Sequence, residues 1–379
     1  MSLRFSGNGH NGNGHNGNGH NGNGHNGHNG NGHGNHPVGV AVIGLGYWGP
    51  NLVRNFFELP EADVSVCDMR PEAIDAIRRR YPSIKGRTRL EEVLEDPAVE
   101  AVAIATPVGS HYQLALSALL AGKHVFVEKP LAASSAAAEE LIAVAKDLGL
   151  VLMPGHTFLY SPPVNKVRSL IQSGELGEIY FISSSRVNLG LHQPDVSVVW
   201  DLGPHDFSIL RYWLDETPTH LAATSRSCVL PDTPDVVFIN LEFASKKIAH
   251  VELSWLAPSK LRRTTIVGSR KMVVYDDTSP EPVRVFDSGV QLANPSTFGE
   301  YHLSYRTGDI VSPQLDVAEP LFLELRDFCA SIRTRTTPRS SAALGLEVVR
   351  LIEAVDHSLA QDGALVEVSS SQRLVGSTR

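Results

Sequence analysis

Three side chains in two short segments are suited to moving protons. Lys129 lies in Glu128-Lys129-Pro130, directly after an apolar run typical of a buried strand, and Asp201 and His205 stand four residues apart. Lysine and histidine can both be tuned to exchange protons near neutral pH. Neither segment is specific alone, because Lys-Pro often follows a strand and residues four apart are commonly surface neighbours. Both must be weighed with the elements that position them.

A glycine-rich turn follows the first apolar run, residues 38–43. The turn reads GLGYWG and leads into a helical pattern. A GxGxxG pattern is weak by itself, but the passage from strand to helix is the context in which it binds a dinucleotide. Gly44 permits the tight turn, Gly46 lets a pyrophosphate approach the backbone, and Gly49 lets helix and strand pack closely. The helix N-terminus then presents free N–H groups to the phosphates.

Asp68 ends the second apolar run, DVSVCD, at the place of the acid that binds an adenosine ribose. Its carboxylate is expected to accept hydrogen bonds from both ribose hydroxyls. A 2′-phosphate there would place like charges about 4 Å apart, at a cost of roughly 1–4 kcal/mol. Arg70 opposes this preference, because its side chain could turn onto a phosphate. We therefore predict NAD as the cofactor, with NADP less favoured.

Strand and helix patterns alternate between residues 38 and about 154. Helices are predicted to begin near Pro71, to run over about 111–121, and to begin again at Ser134 or Ser135. The intervening runs are continuously apolar, which is typical of a parallel sheet covered by helices on both faces. This half is predicted to be an α/β, doubly wound Rossmann domain.

The pattern changes after about residue 156. The runs 236–243 and 248–256 alternate apolar and polar residues and are joined by a short polar turn, which predicts an antiparallel hairpin with one apolar face. Further strand-like runs lie before and after it, and helices are predicted near 318–333 and 342–360. The second half is therefore expected to be an α+β domain with a large, open, mostly antiparallel sheet.

The composition excludes several classes of protein. The 379 residues carry a formal net charge of −8, which gives no electrostatic reason to expect nucleic acid, whose binding needs clustered cations. The same charge disfavours an anionic membrane surface. Three widely spaced cysteines predict neither a disulfide framework nor a metal site, and a reducing cytoplasm is the simplest setting. The N-terminus lacks the apolar core of a signal peptide, and no apolar run approaches the roughly 20 residues that span a bilayer.

The chain is predicted to consist of three segments with different roles. Residues 1–36 are rich in Asn, Gly and His and are expected to be a disordered, solvated tail without a part in catalysis; a metal-binding arm is the alternative. Residues 37–155 are assigned to dinucleotide binding. Residues 156–379 are assigned to substrate binding and to contacts between subunits.

Together the two proton-moving segments and the glycine turn resemble the glucose–fructose oxidoreductase, inositol dehydrogenase and rhizopine-catabolism family (Gfo/Idh/MocA). The resemblance extends from residue 38 to about 368. It is carried by the stretches GLGYWGPNLVRNF, ATPVGSHYQLALSALLAGKHVFVEKPLA, GHTFLYSPPVNKVRSLIQSGELGEIYFISSSRVNLG, WDLGPHDFSILRYWL and EPLFLELRDFCASIRTRTTP. The family pairs a Rossmann domain with an α+β domain whose open sheet commonly forms subunit contacts, which implies a homo-dimer or homo-tetramer.

The resemblance also implies roles for individual residues. Lys129 matches the lysine of the family's EKP motif, and Asp201 and His205 match its catalytic Asp-x-x-x-His. The latter motif is expected at the end of the segment that links a strand over 179–188 to a helix. Many members carry a glycine-rich run before the catalytic aspartate, whereas this chain has VSVVW, so its substrate site is expected to be shaped differently.

The glycine turn and the resemblance together imply cofactor contacts at Gly44, Leu45, Gly46, Tyr47, Trp48, Gly49, Asp68, Met69, Arg70, Thr106, Pro107, His111, Glu128 and Lys129. No metal site is predicted.

The chemistry implied is oxidation of a secondary alcohol, in which a base takes the hydroxyl proton while hydride leaves for the nicotinamide. Lys129 and His205 are both candidates for that base, and Asp201 is expected to hold either the histidine ring or the lysine in register.

The family branches that this chain resembles act on sugars. A nucleotide-linked or otherwise decorated sugar, or the sugar of an antibiotic-like oligosaccharide, is expected to be oxidised at ring carbon 3 to a ketone that an aminotransferase can use. An inositol or aminocyclitol is the alternative. Candidate substrate contacts, besides the three catalytic residues, are His156, Arg186, Asn188 and His192.

Two rival functions remain open. One is the reverse reaction, reduction of a ketosugar with NADPH. The other is a non-catalytic dinucleotide sensor, since a fold does not establish an activity. The sensor is disfavoured because a sensor needs no proton relay.

Overall fold

The computed structural model describes residues 36–190, 196–293 and 302–368. Its first sheet has six described strands, all parallel, in the order β3-β2-β1-β4-β5-β6. They are β1 (Val38–Ile43), β2 (Ala62–Cys67), β3 (Lys85–Arg87), β4 (Ala101–Ile104), β5 (His124–Glu128) and β6 (Leu152–Gly155). Every residue of β1, β4 and β6 is buried, which explains why these strands are continuously apolar rather than alternating.

Helices cover both faces of this sheet, so the predicted doubly wound Rossmann fold is confirmed. They are α1 (Gly49–Glu58), α2 (Pro71–Arg80), α3 (Leu90–Leu94), α4 (His111–Leu120) and α5 (Ser135–Asp147). Of the two serines considered as the cap of α5, Ser134 takes the role: its hydroxyl accepts a hydrogen bond from the backbone N–H of Ala137 at 3.2 Å.

A second sheet follows, with nine strands in the described chain and the order β14-β13-β12-β11-β7-β10-β9-β8-β15. They are β7 (Ile179–Leu189), β8 (His220–Arg226), β9 (Val236–Glu242), β10 (Ile248–Ser254), β11 (Leu256–Gly268), β12 (Met272–Asp276), β13 (Val283–Ala293), β14 (His302–Val311) and β15 (Val366–Glu367). The helices of this half are α6 (Pro162–Gln172), α7 (Val198–Leu214), α8 (Pro320–Thr334) and α9 (Ala342–Ala360).

The predicted hairpin is formed by β9 and β10. They pair antiparallel, with Ile239 opposite Val251 on the buried face, where α7 and α9 also pack. The sheet is mixed, because β10 pairs parallel with β7 on its other side. The mostly antiparallel α+β half is thus confirmed.

Helix α8 comes late in the chain but packs on the first sheet. Leu325, Phe328 and Cys329 are fully buried in the same core as Leu52 and Phe56 of α1. The ring centroid of Phe328 lies 5.8 Å from that of Phe126 on β5. The core around the Rossmann strands is therefore completed by a segment from the C-terminal half.

Most of the predicted tail over 1–36 lies outside the described residues, as does His192. Within the described ranges, no helix is long and apolar enough to cross a membrane, and no group of three or more His, Cys, Asp or Glu side chains is arranged to hold a metal ion.

Candidate active site

A cavity of about 1010 Å³ is lined by residues from both halves of the chain. It brings together most of the residues that the sequence predicts for the reacting end of the site. These are Gly46, Tyr47, Trp48, Thr106, Pro107, Glu128, Lys129, Asn188, Asp201 and His205. The carboxyl ends of β4 and β5 thus lie at this cavity, as expected for a ligand site of an open parallel sheet.

Lys129 directly follows β5 and reaches across the cavity to helix α7. Its Nζ donates to the backbone carbonyl of Asp201 at 2.8 Å and lies 3.3 Å from the carboxylate Oδ1. The other carboxylate oxygen accepts a hydrogen bond from the indole N–H of Trp255 at 3.1 Å. Of the two roles considered for Asp201, the structure shows contact with the lysine.

Asp201 and His205 lie inside α7, which begins at Val198, so their predicted place before a helix is wrong. Gly203 and Pro204 have low helix propensity, yet both lie inside this helix. Tertiary packing overrides this: a Cβ at Gly203 would contact the side chains of Phe207 and Leu253 at 3.2 and 3.5 Å. Because residues four apart lie on one helix face, α7 presents both polar side chains to the cavity.

The ring of His205 is packed rather than solvated. Its centroid lies 5.0 Å from that of Phe158 in an edge-to-face arrangement. Its Nδ1 is buried without a hydrogen-bond partner in the described chain. Burial, followed by the positive charge of Lys129, lowers the pKa of His205 well below its ordinary value. The imidazole is therefore neutral at physiological pH, and the same shift makes it a weaker base than an ordinary histidine.

Glu128 lies beneath Lys129 with its carboxyl group buried. Burial raises the pKa of Glu128 to about 7, and the Lys129 charge opposes that rise. A second buried carboxyl, that of Glu324 on α8, accepts a hydrogen bond from the Thr157 hydroxyl at 2.6 Å. Burial, and then repulsion from Glu128, raises the pKa of Glu324. Glu128 lines the cavity and Glu324 does not, so the lining contains one carboxyl group whose pKa lies near neutrality.

The glycine turn fits a bound dinucleotide. Gly44 has a φ of +91°, and a Cβ at Gly49 would lie 2.0 Å from the carbonyl oxygen of Gly44. Both positions therefore need glycine for packing within the protein. A Cβ at Gly46 would meet nothing within 4 Å, so close approach of a bound phosphate, rather than internal packing, explains glycine there. The N-terminus of α1 begins at Gly49, facing this space.

Asp68 lies immediately after β2 and is tied to the turn. Its Oδ2 accepts from the backbone N–H of Leu45 at 2.7 Å, and Oδ1 accepts from the backbone N–H of Arg70 at 2.9 Å. The Arg70 guanidinium also lies on this carboxylate, at 3.0 Å. That hydrogen bond is the main reason why the pKa of Asp68 falls to about 2. Asp68 is therefore ionised and held in place, whereas the Arg70 side chain is 62% exposed.

Nine predicted contacts lie outside the cavity lining. They are Gly44, Leu45, Gly49, Asp68, Met69, Arg70, His111, His156 and Arg186. The ring of His111 is buried between the backbone carbonyls of Pro130 and Thr106, each 2.9 Å from a ring nitrogen, so it braces two cavity segments. His156 is fully buried, and neither ring nitrogen has a partner among the described residues.

Arg186 is also absent from the lining. It forms a buried ion pair with Asp206, and its guanidinium carbon lies 4.8 Å from the centroid of Phe158. Arg186 therefore packs against Phe158, a residue of the cavity lining, and does not line the cavity itself.

Several residues of the cavity lining were not found from the sequence, among them Phe158, Trp255, Arg262 and Asp277. Phe158 lies in the family-like stretch GHTFLYSP, which was the one available signal. The others come from strands β10 to β12 and their ends, and no local motif links them to Lys129 or His205. Their convergence depends on the register of the second sheet.

Comparison with known proteins supports the resemblance to the Gfo/Idh/MocA family. Residues 38–156 match the sequence model of the GFO_IDH_MocA oxidoreductase family, which has an NAD-binding Rossmann fold. Residues 164–274 match the sequence model of the GFO/IDH/MocA C-terminal domain. The scyllo-inositol 2-dehydrogenase (NAD⁺) of Bacillus subtilis is 27% identical over 335 residues, covering 83% of this chain and 92% of that protein. An uncharacterised oxidoreductase of Streptococcus pneumoniae is 26% identical over 231 residues, and the chain spans 62% of its length.

Solved structures share the fold. GenD2 from gentamicin A biosynthesis, in complex with NAD, superposes with a TM-score of 0.75 at 23% identity, covering 88% of this chain and 97% of that one. UDP-N-acetylglucosamine 3-dehydrogenase from Acidithiobacillus ferrooxidans gives 0.71 at 21% identity, covering 86% and 98%. With the two matching family domains in their expected order, the chain belongs to the Gfo/Idh/MocA family of NAD(P)-dependent oxidoreductases.

Proposed function

We propose that this chain oxidises a secondary ring hydroxyl of a sugar or cyclitol to the ketone, with NAD as the hydride acceptor. The observation that carries the proposal is the convergence of Lys129, Asp201 and His205 on one cavity that also contains the glycine turn at Gly46. In this proposal residues 37–155 supply the cofactor site and residues 156–379 supply the substrate site and the subunit contacts.

The bound nicotinamide supplies the hydride acceptor. Lys129 and His205 supply the proton-moving groups of the chain. A neutral imidazole at His205 can accept the hydroxyl proton, and the Lys129 ammonium can donate a hydrogen bond to the substrate oxygen or relay its proton. Asp201 positions the lysine, since it contacts Nζ through both its backbone carbonyl and its carboxylate. The cofactor is proposed to be NAD, because Asp68 is ionised and bonded to the glycine turn, and its charge would repel a 2′-phosphate bound beside it.

Names among the relatives support a carbohydrate-like substrate. They include the scyllo-inositol dehydrogenase, UDP-N-acetylglucosamine 3-dehydrogenase, GenD2 and levoglucosan dehydrogenase. We propose oxidation at ring carbon 3 of a decorated sugar, giving a ketone that can feed a transamination, with an inositol-like ring as the alternative. The measurement is reduction of NAD, followed by its absorbance, against a panel of free sugars, glycosides, cyclitols and sugar nucleotides. The proposal fails if no secondary ring alcohol reduces NAD above the rate of a Lys129→Ala, His205→Ala double variant.

An oligomer is proposed from the outer face of the second sheet. Ile248 pairs with Phe181 across β10 and β7, and both side chains are exposed, at 56% and 40%. Phe238 on β9 stacks with His250 on the same face and is 41% exposed. Apolar side chains clustered on one sheet face are typical of a protein interface. Light scattering at micromolar concentration is expected to give a dimer or tetramer, and a monomer would contradict this.

A further inference from the structure

Arg262 and Asp277 form an ion pair in the wall of the cavity. Arg262 lies on β11, and Asp277 follows the last residue of β12. The guanidinium Nη1 lies 3.1 Å from Oδ2 of Asp277, and the backbone N–H of Asp277 donates to the carbonyl of Arg262 at 3.0 Å. Both side chains are only about one-third exposed, at 32% and 27%. The pair is therefore fixed by side chain and backbone together and still reaches the cavity.

Phe158 connects this pair to the proton-moving groups. The rings of Phe158 and His205 pack edge to face, with their centroids 5.0 Å apart. The guanidinium carbon of Arg262 lies 5.9 Å from the centroid of the same Phe158 ring. Arg262 and His205 therefore both lie next to the ring of Phe158. Arg262, Asp277 and His205 line the same cavity, so a ring substrate whose reacting hydroxyl meets His205 can contact Arg262 and Asp277 with its other hydroxyls.

The charges of the described lining are balanced. Each arginine or lysine there has a carboxylate partner: Arg54 with Glu319, Lys129 with Asp201, and Arg262 with Asp277. Glu128 is a further carboxyl group in the same lining. In the described part of the wall, an anionic substituent would meet no cation that is not already engaged, and it would face several carboxylates. To pair with one of these cations, an anionic substituent would have to displace the carboxylate that already neutralises it.

We propose that Arg262 and Asp277 recognise neighbouring hydroxyls of a polyhydroxylated ring that carries no anionic group, in preference to a sugar nucleotide or a ring carboxylate. This inference rests on the proposed function. A ring hydroxyl is both a donor and an acceptor, and two adjacent ones can satisfy a guanidinium and a carboxylate at once. A phosphate or carboxylate can only accept, and it would compete with Asp277 for the same guanidinium.

The test compares wild type with Arg262→Gln and Asp277→Asn. The probes are an uncharged glycoside, scyllo-inositol, glucuronate and UDP-N-acetylglucosamine. Each variant is expected to raise KM for the best uncharged ring by about tenfold or more, with kcat changed less than about threefold and KM for NAD unchanged. Asp277→Asn releases Arg262 from its carboxylate, so the ratio of kcat/KM for glucuronate over the uncharged ring is expected to rise by about tenfold or more.

Asp287→Asn is the matched control. Asp287 forms an equivalent ion pair with Arg306 at 3.1 Å, and neither residue lines the cavity. This variant should leave all four probes unaffected. The inference is overturned if wild type prefers UDP-N-acetylglucosamine to every uncharged ring, or if Asp277→Asn behaves like Asp287→Asn. Those outcomes leave the proposed oxidation of a ring alcohol intact. If wild type oxidises no ring alcohol, the proposed function fails and the inference falls with it.

Discussion

The ammonium group of Lys129 is held by both acceptors of a single residue, the backbone carbonyl of Asp201 at 2.8 Å and its carboxylate Oδ1 at 3.3 Å. Trp255, almost fully buried, fixes the other carboxylate oxygen. The lysine follows a strand of the first sheet, whereas the aspartate lies on a helix of the second half. One contact therefore sets the position of the proton-moving groups relative to the cofactor site.

Lys129→Ala is expected to lower kcat by about 10² or more, which is the usual value of a positioned acid–base group. Its side chain is only 21% exposed and pairs with Asp201, so a moderate fall in melting temperature is expected as well. Steady-state kinetics and thermal unfolding on the same preparation check this. Lys146→Ala, an exposed change near the end of α5, is the control and should match wild type. Retention of more than half of the wild-type kcat would remove Lys129 from the mechanism.

Asp201→Asn is expected to give a smaller loss of kcat than Lys129→Ala. The amide oxygen can still accept from Trp255, and the backbone carbonyl still holds the lysine, so only the carboxylate charge is lost. In the double variant with Lys129→Ala, little further loss is expected, because groups that act as a unit are not additive. Losses that multiplied in the double variant would show that Asp201 acts independently of the lysine.

His205→Ala is also expected to lower kcat by about 10² or more. The variant removes the edge-to-face contact with Phe158, so some loss of thermal stability should accompany it. Binding of NAD, measured by calorimetry, should survive better than in Lys129→Ala, because His205 comes from the second half of the chain. A variant that melts earlier yet keeps nearly full kcat while folded would show a packing role alone.

Asp68→Ala is expected to reduce the preference for NAD over NADP. The ionised carboxylate is removed, and Arg70, which now bonds it, becomes free to contact a 2′-phosphate. The ratio of kcat/KM values for the two cofactors should fall by about tenfold or more, corresponding to roughly 1.4 kcal/mol. Arg70→Ala on the same background should remove any gain with NADP. An unchanged ratio in Asp68→Ala would show that cofactor choice is made elsewhere.

His156→Leu is expected to make folding less sensitive to acid. Burial lowers the pKa of His156 from 6.5 to about 3. Between those values the unfolded chain binds a proton that the folded ring excludes, so stability falls as pH drops from about 6.5, by up to about 1.4 kcal/mol per pH unit. The variant should lose this contribution, and urea unfolding at pH 8 and pH 5 would show it. His357→Leu, at an exposed position on α9, is the control; the same pH dependence in His156→Leu and wild type would refute the assignment.

The first half of the fold was predictable because its signals are local. Each apolar run is a buried parallel strand, and the glycines at 44, 46 and 49 are explained by a positive φ, an open approach and a close backbone contact. Lys129 could be placed for the same reason, since it follows β5 directly. Asp68 likewise follows β2, as expected for the ribose-binding acid.

The cavity wall was less predictable because it depends on pairing over long distances. Arg262 and Asp277 meet only through the register of β11 with β12. Helix α7 begins before Asp201 rather than after His205, because packing maintains the helix through Gly203 and Pro204 despite their low helix propensity. His156 and Arg186 were chosen as polar residues in family-like segments, and the sequence gives no sign that their side chains are buried behind the cavity.

The late return of α8 to the first sheet affects how the two halves can be exchanged between relatives. The side chains of Leu325 and Phe328 fill the core beneath α1, and Glu319 pairs with Arg54 at its edge. A chimera joined near residue 156 would therefore pair the Rossmann strands of one protein with the α8 of another. Recombination between family members should succeed only when the crossover carries α8 along with residues 38–156, so the inheritance of cofactor and substrate specificity is coupled through this helix.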